Sequence, residues 1–190
     1  MTEQEIFKVL EETGALLHGH FELRSRLHSD RFFQCANVCR YPRAAEKLCA
    51  ELVRRMRPEL GPARIDGVIA PAMGGLVVGH EVARALDARS IFAEKQDNKL
   101  VLRRFSILPG ERYVVAEDVI TRGGRVQETI AIVRGAGADV AAVAVLVDRS
   151  AGAAKFDYPT FSLLRMAPQV WEPAACPLCK QGSKAMHPGS

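Results

Sequence analysis

Val114-Val115-Ala116-Glu117-Asp118-Val119-Ile120-Thr121-Arg122-Gly123-Gly124-Arg125 is the stretch that decides the fold. It opens as a buried apolar strand, Tyr113–Ala116, closed by two adjacent carboxylates. A glycine-bearing turn, Thr121–Gly124, then opens a helix with Val126, Ile130 and Val133 on one face. Backbone N–H groups at a helix N-terminus bind phosphate well. Gly123 and Gly124 let the backbone come close to such a group, and Thr121 adds a hydroxyl donor. Paired acids just before a phosphate cradle suit a ligand that carries both a phosphate and a diol. The segment lacks the GxxxxGK[ST] spacing of a P-loop and the GxGxxG of a dinucleotide fold.

The flanking sequence repeats the same alternation. Upstream, Ile65–Ala70 reads as a strand, Pro71-Ala72-Met73-Gly74-Gly75 as a small-residue loop and Leu76–Leu86 as a helix. Ser90–Ala93 reads as a second strand, residues 94–100 as a polar loop, Val101–Arg104 as a short strand, and Pro109-Gly110 as a turn. Downstream, Val140–Val147 is the longest apolar run and reads as a central strand, with Phe161–Leu164 the last one. The runs are continuous rather than alternating, as in strands covered on both faces. Strand, loop, helix, strand in succession argues for an α/β fold with a mainly parallel sheet flanked by helices. Ligands in such folds sit beyond the carboxyl ends of the strands. That places the site at loops 71–75, 117–125 and 148–152. Residues 2–13 and 42–57 read as amphipathic helices, with Pro42 suited to a first turn.

Composition narrows the class. The chain has 190 residues, 48% hydrophobic and 25% charged, with Lys+Arg 26 against Asp+Glu 22. That is one ordinary globular domain by size, with a net charge of +4 and no basic block of the kind a nucleic-acid binder concentrates on one face. No run approaches a membrane span, and the acidic start MTEQEIFKVLEETG lacks a signal-peptide pattern. A cytoplasmic protein is expected. Its five cysteines, an odd number, cannot all pair internally, and reduced thiols are the simpler state there.

The strand, two acids, two residues, Thr and glycine-rich turn closely resemble the phosphoribosyl pyrophosphate (PRPP) signature of type I phosphoribosyltransferases. The resemblance implies that fold, with a small N-terminal hood. Residues 1–60 and the C-terminal tail would build the hood, and about 61–165 the core of a single domain. It also implies that Glu117 and Asp118 hold the ribose hydroxyls. Val119, Ile120, Thr121, Arg122, Gly123, Gly124 and Arg125 would then line the 5-phosphate site. Arg122 is larger than usual for the signature, and Arg125 stands where many members carry a small hydroxyl residue.

Three further segments point to the orotate branch. Phe21-Glu22-Leu23-Arg24-Ser25-Arg26-Leu27-His28-Ser29, followed by Phe32-Phe33, resembles the N-terminal motif of orotate phosphoribosyltransferases. Val147-Asp148-Arg149-Ser150 resembles that family's orotate-binding Asp-Arg. Cys176-Pro177-Leu178-Cys179-Lys180 and Pro188-Gly189-Ser190 resemble the tail of its short prokaryotic branch. By this resemblance Arg149 pairs with the orotate carboxylate, Thr121 lies near the same ligand, Phe32 and Phe33 flank the pyrimidine, and Arg24 contacts PRPP. Two positions depart from the pattern. Arg26 replaces a favoured Gly, so the backbone there is expected to differ. Met73-Gly74 replaces a Tyr-Lys pair, which removes one cation from the pyrophosphate loop.

The resemblance also implies a mobile loop at Glu94–Lys99 that closes over the neighbouring subunit's site in a homodimer. Lys95 and Lys99 are its candidate catalytic lysines. The implied reaction joins orotate and PRPP to give orotidine 5′-monophosphate and pyrophosphate in pyrimidine biosynthesis. Mg²⁺ would be bound through the substrate, with no protein ligand. Two alternatives stay open: a transferase for another base, and a PRPP-binding regulatory protein. Against the second, residues 1–60 show no basic helix-turn-helix. Cys176-x-x-Cys179 could mark zinc, but no second CxxC exists and Cys35-x-x-x-Cys39 is a poor partner by spacing. His18, His20 and His28 read as core or surface histidines.

Overall fold

The computed structural model describes residues 1–23 and 25–188. The chain starts with helix α1 (Glu3–Glu12), capped by a reciprocal Thr2–Glu5 box. Strands β1 (Leu16–Glu22) and β2 (His28–Phe33) form an antiparallel hairpin. Short α2 (Ala36–Cys39) and long α3 (Pro42–Leu60) follow. Then come β3 (Gly67–Pro71), α4 (Gly75–Leu86), β4 (Arg89–Gln96), β5 (Lys99–Val101), β6 (Arg112–Ile120), α5 (Gly124–Gly135), β7 (Asp139–Asp148) and β8 (Thr160–Arg165). The tail adds β9 (Val170–Trp171) and α6 (Pro177–Lys180).

The six-stranded sheet runs β5-β4-β3-β6-β7-β8, parallel except for β5. Residues on its strands alternate between two cores. Val114, Ala116, Ala142, Ala144 and Leu146 pack under α3 and α4. Val115, Val143 and Val145 pack with Val126, Ile130 and Val133 of α5. Both faces are covered, which is why the strands read as unbroken apolar runs. Gly79 brings α4 close to the sheet: a Cβ there would sit 2.7 Å from the Ala70 Cβ.

From β3 the chain crosses outward through α4 to β4, then returns so that β6 flanks β3 on its other side. The strand order therefore reverses between β3 and β6. A crevice opens at such a switch point, and it is where open α/β sheets bind ligands.

The smaller sheet, β1-β2-β9, is antiparallel and is shared by the two ends of the chain. Met186 reinforces it, since Glu22 N donates to its carbonyl and its own N–H donates to the His20 carbonyl, both at 2.8 Å.

Three sequence expectations need correction. Residues 94–100 are not a loop: β4 continues to Gln96 and turns back at Asp97-Asn98 into β5. Both turn residues have positive φ, 48° and 65°, as a two-residue hairpin demands. The short strand expected at Val101–Arg104 is accordingly β5, displaced toward the turn. Tyr113–Ala116 does not end at the acids either, because β6 runs on through Glu117 and Asp118 to Ile120. Pairing with β7 as far as Ile120↔Asp148 holds this part extended. At Arg26, φ is +66°, the left-handed region that glycine adopts freely.

Candidate functional site

Register explains how the acids are presented. β6 pairs with β3 only as far as Ile69↔Val115, but with β7 five residues further. Past Val115 one edge of β6 is free, and it borders a cleft of about 480 Å³. The lining comes from Pro71, Ala72 and Gly74 on one side and from Glu117 to Val126 with Glu128 on the other. A Cβ on Gly74 would lie 3.1 Å from Asp118 Oδ1, so the two walls nearly touch at the acids.

Glu117 is buried and Asp118 half-buried. Burial pushes the Glu117 carboxyl upward, and the neighbouring Asp118 charge adds to it. Burial raises Asp118 as well. Each acid accepts a local N–H, Asp118 N to Glu117 Oε1 at 3.1 Å and Val119 N to Asp118 Oδ1 at 2.8 Å. Their remaining lone pairs are available to hydroxyl donors.

At the far end of the cleft Gly123 takes φ +79° and starts α5 with no side-chain cap. Helix α5 therefore presents open N–H groups and the positive end of its dipole. Gly123 also has no room for a side chain, since a Cβ would meet Phe156 Cζ at 2.9 Å. Thr121, Arg122 and Gly124 are exposed and Arg125 is half-buried, 3.5 Å from Glu128. An acid pair at one end and an uncapped, cation-flanked helix start at the other fit a ligand with hydroxyls and a phosphate.

Arg149 lies one strand over. Its N–H donates to the Ile120 carbonyl at 2.8 Å, and its guanidinium sits 5.4 Å from the Phe33 ring centroid. Nε is buried without a partner, and Arg149 forms no ion pair among the described residues. Burial lowers its pKa, which still leaves a cation. A half-buried guanidinium with a free donor fork is a receptor for a planar carboxylate.

A profile of the phosphoribosyl transferase domain matches residues 41–178. Orotate phosphoribosyltransferase of Desulforamulus reducens is 47% identical over 191 aligned residues, covering 100% of this chain and 98% of that protein. The chain belongs to the orotate phosphoribosyltransferase family. Among solved structures, orotate phosphoribosyltransferase from Aeropyrum pernix superposes with TM-score 0.70 at 26% identity, over 84% of this chain and 92% of that one. Adenine phosphoribosyltransferase from Rhodothermus marinus gives TM-score 0.62 at 20% identity, over 84% and 99%. The type I phosphoribosyltransferase fold is thus shared by members named for different bases, and the base must be read from side chains.

Within this family member the sequence-derived residues divide into three groups. Glu117, Asp118, Val119, Ile120, Thr121, Arg122, Gly123, Gly124 and Arg125 all line the one cleft. Arg149 and Phe33 meet beside it, with Phe33 only 5% exposed in the core. Phe32 packs on Phe21 at 5.8 Å between centroids. Lys95 and Lys99 are exposed on the β4–β5 hairpin and are not among the cleft-lining residues. Arg24 lies outside the described residues, as do Gly189 and Ser190. Sequence reading missed Glu128, which lines the cleft and also accepts the Leu100 N–H at 3.1 Å. The Arg125-x-x-Glu128 spacing was the available signal. Met73, which stands where the loop cation was expected to be missing, is 81% exposed and is not among the cleft-lining residues.

Proposed function

We propose that this protein transfers the 5-phosphoribosyl group of PRPP to orotate, giving orotidine 5′-monophosphate and pyrophosphate. The observation that carries the reading is one juxtaposition. An acid pair and an open helix N-terminus line a single cleft, and an unpaired half-buried guanidinium stands one strand away. Full-length likeness to enzymes named for orotate supports the choice of base.

In this reading Glu117 and Asp118 accept hydrogen bonds from the ribose hydroxyls. The Thr121–Arg125 turn holds the 5-phosphate, and Arg149 forks onto the orotate carboxylate with Thr121 nearby. Phe33 positions Arg149 from below. The orotate ring nitrogen releases its proton to solvent and bonds to the anomeric carbon, and the C–O bond to pyrophosphate breaks with its electron pair on the leaving oxygen. The protein contributes orientation and charge stabilisation rather than covalent chemistry. Mg²⁺ carried by PRPP would neutralise charge on the pyrophosphate, and the Glu117 and Asp118 carboxylates are hard oxygen donors compatible with its presence at that end of the cleft. Lys95 and Lys99 reach the pyrophosphate of a partner subunit in a homodimer, consistent with their exposure away from their own cleft. A cytoplasmic setting agrees with five cysteines that are all free.

The test is loss of orotate absorbance with PRPP and Mg²⁺, run beside uracil, adenine and hypoxanthine. Turnover with orotate alone is expected. Turnover with another base instead would replace the substrate, and tight PRPP binding with no turnover on any base would make this a PRPP-binding regulator.

A further inference from the structure

Four metal-binding side chains converge at a place none of whose residues lines the cleft. His20 comes from β1, His28 from β2, Cys176 from the position just before α6 and Cys179 from within it. Their ligating atoms all lie within 4.8 Å of one another. His20 Nε2 is 2.9 Å from His28 Nδ1, 3.5 Å from Cys176 Sγ and 3.7 Å from Cys179 Sγ. Cys179 Sγ is 3.3 Å from His28 Nδ1. Zn–S bonds of about 2.3 Å and Zn–N bonds of about 2.0 Å at a tetrahedral angle place S and N about 3.5 Å apart and two N atoms about 3.3 Å apart. The observed separations scatter around these values.

Three of the four groups are buried, Cys176 at 0% exposed, His20 at 5% and His28 at 8%, and Cys179 is half-buried. The Cys176-Pro177-Leu178-Cys179 turn is held by Lys180 N donating to the Cys176 carbonyl at 3.2 Å and by Gly182 N donating to the Cys179 carbonyl at 2.9 Å. Gly182 sits at φ +81°, which lets the chain fold back after the second cysteine. Hydrogen bonding alone requires only pairwise contacts. Here all four ligand atoms lie within 4.8 Å of one another, the mutual convergence that a common central ion produces.

We propose that His20, His28, Cys176 and Cys179 form a structural zinc site that locks the C-terminal tail onto the N-terminal hairpin. Two thiolates and two imidazoles in a tetrahedron are a zinc set, too compact for an iron–sulfur cluster and too soft for Mg²⁺. Four protein ligands leave no open position, so the role is structural rather than catalytic. Each thiol releases its proton to the solvent as the ion binds. The ligands join segments 156 residues apart, adding to the two-residue strand β9, the Met186 bonds, the Ser29 hydroxyl donating to the Gln169 carbonyl at 2.8 Å and the His187 contact with the Glu22 carbonyl at 3.1 Å.

The experiment is elemental analysis of protein purified without added metal or chelator, with content read independently of turnover. About one zinc per chain is expected. Cys179→Ser and His28→Ala should each lower it more than about tenfold, and Cys39→Ser, a thiol outside the set, should leave it unchanged. The unmutated protein, stripped by chelator and reloaded with Co²⁺, should show the intense visible bands of a tetrahedral ion and thiolate-to-metal charge transfer. This second measurement does not depend on the variants folding. Zinc far below one per chain together with no tetrahedral Co²⁺ spectrum would overturn the site. A different metal at one per chain would overturn its assignment to zinc.

Discussion

Arg149 carries the choice of substrate, so its removal has a specific signature. A carboxylate held by a charged fork is worth about 1.5–3 kcal/mol. Arg149→Ala should therefore lower kcat/KM for orotate by about ten- to a hundredfold. PRPP affinity should move little, because the phosphate cradle lies on other residues. Arg149→Lys should recover only part of the loss, since an ammonium cannot form the two-point contact. Steady-state kinetics with each substrate varied in turn separates these outcomes. Equal damage to both substrates would place Arg149 in the scaffold instead. Glu117 answers to pH. Its carboxyl titrates above the ordinary range because it is buried and because Asp118 is adjacent. The unfolded chain loses that proton at about pH 4, so above this pH the folded state binds more protons than the unfolded one. Stability then falls as pH rises through the window up to the folded value. Glu117→Gln removes this slope. In thermal melts the variant should match the parent near pH 4 and exceed it by a few degrees at pH 8, while its turnover drops. A parent melting temperature that is flat with pH would count against a protonated Glu117.

Elements show which parts of the sequence were legible. The phosphate turn could be read because its chemistry is local: two acids, a hydroxyl and two glycines within nine residues suffice. The β1–β2 hairpin could not be read by period. Its burial along β1 runs buried, three exposed, two buried, and the pairing register shifts between His18 and Phe21. That bulge erases the alternation a strand normally shows. The end of β6 was missed for another reason. Carboxylates are poor strand formers, and only the β7 ladder keeps Glu117 and Asp118 extended. The partners of Cys176 and Cys179 were hidden because they come from that unread hairpin rather than from a second CxxC. The Leu23–Leu27 turn of the same hairpin yields a prediction. Arg26 occupies the left-handed region, which costs a side-chain-bearing residue about 1–2 kcal/mol. Its compensation is a solvent-screened ion pair with Glu22 at 2.7 Å. Arg26→Gly should therefore leave stability unchanged or raise it slightly in denaturant titrations. Clear destabilisation would mean that the guanidinium holds the turn by more than this pair.

At the scale of the whole molecule, the open question is whose cleft the β4–β5 hairpin serves. Leu100 N is tied to Glu128 at the cleft wall, yet Lys95 and Lys99 stand exposed and outside the lining. In a twofold dimer with the loop exchanged, each site takes its acids, turn and Arg149 from one chain and its lysines from the other. Lys95→Ala and Lys99→Ala should then lower kcat more than they weaken orotate binding. The stronger experiment mixes two crippled proteins, Arg149→Ala and Lys99→Ala, after dissociation and reassociation. Random pairing makes half of the dimers mixed, and one of the two sites in each mixed dimer is intact, so about a quarter of the parent activity should return. A loop that serves its own chain predicts no such recovery, because every site would keep one lesion. Intact activity in Lys99→Ala alone would remove the lysine from the mechanism before the mixing question arises.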